Sequence, residues 1–253
     1  MPTALITGAT AGIGAAFTRR FARDGLDLVL VARDLGRLDA MAEEVTARYG
    51  VKVEVLQADL ADDRGIVMVE ERLREGVDVL VNNAGFGNSR GAFLEVPVED
   101  ELRMLKVHCE VVLRLTYAAI PGMRERGRGA VVNVGSVAGF FSVGTYGATK
   151  AWILSFSVGV ARDMQGTNVK VMALCPGFVH TEFHQRAQVD VTGIPDALWL
   201  DPDRVVDAAL QDLRRGRQVS VPGGQYKAMV ALGRFVPRSL TGRLSHRTGK
   251  RYQ

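Results

Sequence analysis

A tyrosine and a lysine separated by four positions are the residues of this chain best suited to proton chemistry. Tyr146 and Lys150 lie in the run Tyr-Gly-Ala-Thr-Lys, and Ser136 stands ten residues before the tyrosine. Residues four apart on a helix point the same way, so an ammonium is predicted beneath a phenol. A neighbouring positive charge lowers the pKa of a tyrosine, which suits a general acid or base. The alternative is an ordinary pair of neighbours on a solvated helix.

A glycine-rich segment near the N-terminus predicts a site for a pyrophosphate. Ala4–Ile6 is predicted to be a short buried strand, and a helix is predicted over 15–24. Gly8, Gly12 and Gly14 lie between these two predicted elements. Glycines let the backbone approach a pyrophosphate, and the helix N-terminus offers free N–H donors. The T-G-x-x-x-G-x-G spacing is wider than the common G-x-G-x-x-G fingerprint, and the alternative is a glycine-rich loop without a ligand.

Further motifs accompany these residues in a characteristic order, over residues 3 to about 221. With this order the chain resembles the compact, single-domain short-chain dehydrogenases/reductases. The resemblance implies one α/β domain over 1–253, of the Rossmann type, doubly wound, with a seven-stranded parallel sheet and helices on both faces. The motifs that carry it are Thr7–Gly14, Asp59-Leu60, Asn82-Asn83-Ala84-Gly85, Ser136, Tyr146, Lys150, and Pro176-Gly177 followed by Thr181.

The resemblance also implies a reaction, which is hydride transfer between a nicotinamide and a carbonyl or secondary alcohol. Tyr146 would exchange the proton, Ser136 would bind the substrate oxygen, and Lys150 would lower the Tyr146 pKa and hold the nicotinamide ribose. Asp59 resembles a contact to the adenine, and Thr181 resembles a contact to the carboxamide. The other expected cofactor contacts are Gly8, Thr10, Ala11, Gly12, Ile13, Gly14, Leu60, Asn83, Ala84, Gly85, Pro176, Gly177 and Val179.

The end of the second predicted strand bears on the choice between NAD(H) and NADP(H). NAD enzymes commonly place a carboxylate here to hold the ribose 2′-hydroxyl. This chain instead has Ala32 followed by Arg33, and a guanidinium suits a 2′-phosphate. We therefore expect NADP(H), with NAD(H) as the less favoured cofactor. Asp34 complicates the prediction, because a shift of one residue would bring a carboxylate close to the same place.

Two positions depart from the pattern of the family. A catalytic asparagine is usual in the helix after the fourth strand, and alignment places His108 there. Histidine can hold a water and pass a proton, so His108 is a candidate catalytic residue; the alternative is a packed residue with an altered or absent relay. The loop from Ser136 to Tyr146 is about three residues shorter than the family's, and it carries Phe140 and Phe141. The pocket wall is therefore expected to be short and apolar.

A substrate lid is expected over about 177–200, because apolar and aromatic residues are concentrated there. Such a segment above a pocket indicates an apolar carbonyl substrate, although the same residues would also suit packing on the body of the protein. His180 and His184 have a spacing compatible with metal binding, but no third ligand is evident, and no metal is expected. The apolar residues of the lid are Phe178, Phe183, Ile194, Leu198, Trp199 and Leu200.

Short apolar runs alternate with longer helical patterns, which favours a parallel sheet covered on both faces. Two predicted helices, over 97–123 and 147–164, are apolar on more than one side. The resemblance implies that they pair in a homodimer or homotetramer; the alternative is cover by loops or the C-terminal segment. Pro121-Gly122 is predicted to be a helix-to-strand turn. The strand candidates are Ala4–Ile6, Leu28–Val31, Val53–Leu56, Val77–Val81, Ala130–Val134, Val169–Leu174 and Gln218–Val221.

The net charge of +4 conceals a basic C-terminal segment over about 213–253 that holds ten basic and no acidic residues. Such a segment suits an anionic membrane surface, an acidic carrier protein or another subunit; the alternative is a solvated helix, and we expect no nucleic acid partner. The hydrophobic content of 47% is typical of globular proteins. The only two cysteines, Cys109 and Cys175, are too few for a disulfide framework. A cytoplasmic location is therefore expected.

These observations lead to three hypotheses about function. The first is an NADP(H)-dependent oxidoreductase that acts on a carbonyl or secondary alcohol of an apolar small molecule. The second is a 3-ketoacyl reductase whose basic segment receives an acidic carrier with its acyl chain. The third is a regulator that senses NADP(H) without turnover; the presence of Ser136, Tyr146 and Lys150 argues against it, and His108 keeps it open.

Overall fold

A computed structural model describes residues 1–87, 93–141, 143–187 and 191–233. Seven strands form one parallel sheet in the order β3-β2-β1-β4-β5-β6-β7, which confirms the predicted Rossmann-type class. The strands are β1 (Thr3–Thr7), β2 (Asp27–Ala32), β3 (Val53–Gln57), β4 (Val79–Asn82), β5 (Gly129–Val134), β6 (Val169–Leu174) and β7 (Val219–Ser220).

Helices cover both faces of this sheet. One buried cluster joins the sheet to α1, α2 and α8, and the other joins it to α3 and α5. The chain therefore changes face between β1 and β4, the two neighbouring strands at the centre. The helices are α1 (Gly12–Arg23), α2 (Leu35–Tyr49), α3 (Asp63–Arg74), α4 (Val98–Leu105), α5 (Val111–Glu125), α6 (Gly144–Asp163), α7 (Phe183–Arg186), α8 (Pro202–Arg214) and α9 (Gly224–Gly233).

The helix predicted over 97–123 differs from expectation in two ways. A turn of π-helix, Lys106–Glu110, separates α4 from α5. The prediction of a turn at Pro121-Gly122 is wrong, because α5 continues through both residues to Glu125. Pro121 has no N–H, so the carbonyl of Tyr117, four residues earlier in the helix, lacks its usual helical donor. Tyr117 is highly exposed.

A buried polar chain joins the centre of the sheet to the helices. The Asn82 amide donates to Asn133 Oδ1 at 2.9 Å and to Thr116 Oγ1 at 3.2 Å. Asn133 in turn donates to Ser157 Oγ at 3.0 Å, and that hydroxyl donates to the Ile153 carbonyl in α6. Buried polar groups cost free energy unless they are paired, so these bonds favour one register of α6 against β4 and β5. That register matters because α6 carries Tyr146 and Lys150.

Part of the sequence-based expectation lies outside the described residues. The basic segment is described only as far as residue 233, so its cations from residue 234 onward have no structural description. Within the described ranges, no helix combines the length and the apolarity needed to cross a bilayer.

Candidate active site

The glycine-rich turn lies between β1 and α1, at the carboxyl end of the sheet. Gly8 and Gly12 have φ values of 65° and 51°, in a region that side chains other than glycine rarely adopt. A Cβ on Gly14 would overlap with the Gly8 carbonyl, so α1 packs directly on the turn. The N-terminus of α1 has no side-chain cap, and its first N–H groups suit an anion. The partly buried residues of the same turn include Thr10, Ala11 and Ile13.

Thr7 and Asn83 hold this turn against the end of β4. Thr7 Oγ1 accepts the Asn83 N–H at 2.9 Å and the Ala84 N–H at 3.0 Å. The Asn83 side-chain amide donates to the carbonyls of Thr7 at 2.9 Å and Gly8 at 3.1 Å. The Asn83 side chain therefore supports the glycine-rich turn. Its predicted role was a direct contact with the cofactor. Thr7 has no separate role in the sequence analysis; its position between a strand and the first glycine is the only signal.

Arg33 is exposed directly after β2, at the same edge of the sheet as the glycine-rich turn. Asp34 Oδ1 accepts the Arg37 N–H at 3.1 Å, so this carboxylate caps α2. Asp59 follows β3, where its Oδ1 accepts the Ala61 N–H at 2.9 Å. Leu60 beside it is buried.

Arg37 is a cation near the turn that sequence analysis missed. Its guanidinium donates to both Glu182 carboxylate oxygens, at 2.8 and 3.1 Å, and more weakly to the Thr10 carbonyl at 3.4 Å. These bonds raise the pKa of Arg37 and lower the pKa of Glu182. Arg37 therefore connects α2, the glycine-rich turn and the first part of the predicted lid. Arg37 lies in α2, four residues after Arg33. This spacing of two cations was visible in the sequence.

Ser136, Tyr146 and Lys150 come together at the carboxyl end of β5 and the start of α6. Lys150 is buried, and its Nζ lies 5.6 Å from the centre of the Tyr146 ring. Within the described part of the chain, that ammonium donates to the Val134 carbonyl at 3.1 Å, one bond for a group with three donors. The Ser136 hydroxyl accepts the Ala138 N–H at 3.1 Å and is also a hydrogen-bond partner of Tyr146.

Burial dominates the electrostatics of the pair. It raises the pKa of Tyr146 to about 12, and the hydrogen bond with Ser136 opposes the rise only in part. The pKa of Tyr146 is therefore shifted upward, opposite to the predicted lowering, because loss of solvent around the phenol is the largest effect. Burial also lowers the pKa of Lys150 to about 8. At neutral pH the phenol carries its proton and is suited to donate it.

His108 lies fully buried in the π-helical turn, between the β4 end and α6. Its Nε2 accepts the Phe86 N–H at 3.2 Å, so the ring proton must sit on Nδ1, which lies 2.9 Å from Thr149 Oγ1. The Thr149 hydroxyl donates onward to the Tyr146 carbonyl at 2.8 Å. Burial, with a smaller effect of Lys150, lowers the pKa of His108 well below its usual value. The ring is neutral, and both nitrogens have protein partners.

Two glycines, Gly85 and Gly139, let the backbone lie close to His108 and Lys150. A Cβ on Gly85 would lie 2.8 Å from His108 Nε2 and 3.7 Å from Lys150 Nζ. The short loop after Ser136 forms a 3₁₀ turn, Val137–Phe140, and a Cβ on Gly139 would lie 2.7 Å from the Lys150 carbonyl. The turn therefore rests on the backbone of α6, which explains how a shortened loop keeps Ser136 beside Tyr146.

The segment predicted as a lid packs over Tyr146 with aromatic rings. The Phe183 ring lies 6.0 Å from the Tyr146 ring, centre to centre, and a Cβ on Gly87 would lie 3.4 Å from Phe183. The Trp199 indole stacks on His180 at 4.9 Å and meets His184 edge-on at 5.1 Å. Both histidines therefore belong to an aromatic cluster. No group of three or more potential metal ligands converges within the described residues.

The start of the lid lies against the glycine-rich turn. The Val137 N–H donates to the Pro176 carbonyl at 2.9 Å, which joins the lid base to the loop after Ser136. Val179 is buried and forms a parallel bridge with Leu200. Thr181 lies close to Gly12, where an added Cβ would be 2.8 Å from Thr181 Cγ2. The expected cofactor contacts in the lid base and in the turn therefore share one edge of the sheet.

Comparison with known proteins agrees with this geometry. A sequence model described as short chain dehydrogenase matches residues 2–191. The chain is 37% identical to sulfoacetaldehyde reductase 2 of Chromohalobacter salexigens, over 78% of this chain and 80% of the relative. A short-chain dehydrogenase from Sphingobium yanoikuyae in complex with NADPH superimposes with a TM-score of 0.84 and 41% identity, over 92% of this chain and 93% of that one.

A second solved structure is the bulky-bulky ketone specific alcohol dehydrogenase from Comamonas testosteroni. It superimposes with a TM-score of 0.80 and 35% identity, over 92% of both chains. The family match covers the glycine-rich turn, the Ser136, Tyr146 and Lys150 group and the base of the lid. This chain is an oxidoreductase that belongs to the short-chain dehydrogenase family.

Proposed function

We propose that this protein is an NADP(H)-dependent reductase of apolar ketones and aldehydes that also runs as an alcohol dehydrogenase. The observation that carries the proposal is the group of Ser136, Tyr146 and Lys150 beside an uncapped, glycine-lined helix N-terminus. The whole chain over 1–253 is proposed to act as one catalytic unit, with residues 177–200 as the substrate lid.

The residues around the turn fit a dinucleotide. The turn leaves no room for side chains at Gly8 or Gly14, and α1 presents its N–H groups to a pyrophosphate. The exposed Arg33 suits a 2′-phosphate, since Asp34 is occupied as a helix cap. NADPH in the Sphingobium relative supports the same preference. When bound, the cofactor supplies or accepts the hydride.

The proton is handled by this chain's own residues. Tyr146 carries a proton at neutral pH and donates it to the substrate oxygen as negative charge develops there. The Ser136 hydroxyl donates a second hydrogen bond to that oxygen. The Lys150 ammonium keeps N–H donors beyond its bond to Val134, and we assign these to the hydroxyl groups of the nicotinamide ribose.

The lid supports an apolar substrate. Phe183 stands beside the Tyr146 ring, and Phe178, His184 and Trp199 continue the aromatic wall. Rings of this kind favour hydrophobic and aromatic groups next to the carbonyl. The relative from Comamonas, a bulky-bulky ketone specific alcohol dehydrogenase, supports this preference.

We further propose a homodimer formed through α4 and α5. The face of these helices is unusually apolar for exposed surface, and Cys109 continues it at steps of four residues. The exposed side chains on it are Leu102 (58%), Leu105 (46%), Leu113 (44%) and Tyr117 (79%).

Removing the Tyr146 hydroxyl tests the reaction. Tyr146→Phe is expected to lower kcat for a ketone by about 10²- to 10⁴-fold, because the proton donor is lost. NADPH binding, followed by fluorescence, should change little. The matched control is Tyr49→Phe on α2, which should keep normal activity. Wild-type protein that binds NADPH but reduces no member of a panel of aryl and alkyl ketones would favour the sensor hypothesis.

Arg33→Ala tests the cofactor preference. Loss of a charge-assisted contact to a 2′-phosphate is expected to raise the KM for NADPH by about 10- to 100-fold. The KM for NADH should stay within about twofold, because NADH lacks that phosphate. Arg162→Ala, an exposed position at the end of α6, is the matched control. Equal losses with both cofactors would contradict the assignment.

Substitution of His108 distinguishes a positioning role from a proton relay. We propose positioning, because both ring nitrogens are occupied by Phe86 and Thr149. His108→Gln, which keeps an acceptor and a donor, is expected to retain kcat/KM within about threefold and an unchanged pH profile. His108→Leu should lose about 10-fold or more, because the Phe86 N–H loses its acceptor and the Thr149 hydroxyl loses its donor.

A relay through His108 would give a different pattern. In that case His108→Gln would lose as much activity as His108→Leu, and one ionisation would disappear from the pH profile of kcat. An active His108→Leu protein would contradict positioning.

The double substitution Leu113→Arg with Tyr117→Arg tests the dimer. In the proposed dimer each subunit would then bury two unpaired charges at the interface, which is unfavourable. Light scattering at micromolar concentration should therefore give the mass of one chain. Val67→Arg with Met68→Arg places the same charges on exposed apolar positions of α3 and should leave the mass unchanged. A wild-type protein with the mass of one chain, or a double variant with unchanged dimer mass, would overturn the proposal.

A further inference from the structure

The lid begins and ends at a short paired stem. The Leu200 N–H donates to the Phe178 carbonyl at 2.8 Å, and the His180 N–H donates to the Leu200 carbonyl at 3.0 Å. These bonds join the outgoing and returning chain where they leave the body of the protein. The orientation of Phe183 over Tyr146 therefore depends on what holds this stem.

Tyr226 contacts both sides of the stem from α9. Its side chain is 1% exposed, and its hydroxyl accepts the Phe178 N–H at 3.0 Å. The same hydroxyl donates to the Leu198 carbonyl at 2.6 Å. One oxygen therefore uses its donor and an acceptor to tie together two segments that are twenty residues apart. Gln225 adds a weaker bond to the Ala197 carbonyl at 3.2 Å.

The Tyr226 ring also determines where the lid base lies. It packs so closely on Gly177 that a Cβ there would overlap with the ring. Gly177 follows Pro176, whose carbonyl is tied to the loop after Ser136. Four residues after Gly177 comes Thr181, against Gly12 of the glycine-rich turn. The ring therefore supports the backbone that connects the loop after Ser136 with the glycine-rich turn.

We infer that Tyr226 is a positioning residue that clasps the lid stem and so holds the aromatic lid over Tyr146. It lies outside residues 2–191, which the family model matches, and sequence analysis gave it no role. The kinetic part of this inference rests on the proposed reductase function. The structural part depends only on the two hydrogen bonds and the contact with Gly177.

Tyr226→Phe tests the clasp, because it removes the hydroxyl and keeps the ring. Amide hydrogen exchange in peptides over 178–187 and 194–200 is expected to accelerate by at least about 5- to 10-fold, because both hydrogen bonds of the hydroxyl are lost. Peptides from β4 and β5 should exchange at the normal rate. Tyr49→Phe is the matched control and should change neither set. Unchanged exchange in the lid peptides would overturn the inference.

Kinetics provide the second readout. With an active wild-type enzyme, Tyr226→Phe should raise the KM for an aryl ketone by about 3- to 10-fold and leave kcat within about threefold, because lid order is lost before substrate binds while the proton donor is intact. An equal KM, or a loss confined to kcat, would overturn the positioning role. If the wild-type protein reduces no ketone, the proposed function fails, and the exchange experiment still decides the role of Tyr226.

Discussion

The site depends on the point where β1 and β4 lie side by side while the chain changes face of the sheet. Connections from these two strands lead to opposite faces of the sheet. In open α/β sheets a ligand crevice forms at the carboxyl ends of the strands at such a point. The Thr7 hydroxyl and the Asn83 amide hold this crevice, because they bond the end of each strand to the other. The glycine-rich turn, the Asn-Asn-Ala-Gly segment and the lid base can converge only while this junction is closed.

Burial decides the proton chemistry around that crevice. A phenol with a pKa near 12 and an ammonium with a pKa near 8 both result mainly from loss of solvent. His108 follows the same physics, because a buried ring with two satisfied nitrogens resists a second proton. In this arrangement the neutral histidine joins the β4 end to α6, and the titrating groups are those that face the proposed substrate and ribose.

The predicted lid shows how residues outside the motifs shape the candidate site. Its aromatic rings lie over Tyr146, its base lies on Gly12, and Arg37 connects its Glu182 to α2. Tyr226 and its helix come from the far end of the chain, beyond β7. Loops that close a pocket generally vary more among related proteins than the elements beneath them.

The alternation of short apolar runs with helical patterns predicted the parallel sheet, and the resemblance carried by the motifs implied the family and the grouping of Ser136, Tyr146 and Lys150. These succeed because strand burial, glycine turns and four-residue helical spacing are local properties. Other features were decided only by tertiary structure: the π-helical turn, the continuation of α5 through Pro121, the occupied nitrogens of His108, and the roles of Thr7, Arg37 and Tyr226. The bonds of His108, Thr7, Arg37 and Tyr226 join residues far apart in the chain. The upward shift of the Tyr146 pKa has a similar origin, because solvent exclusion around the phenol is set by the whole fold.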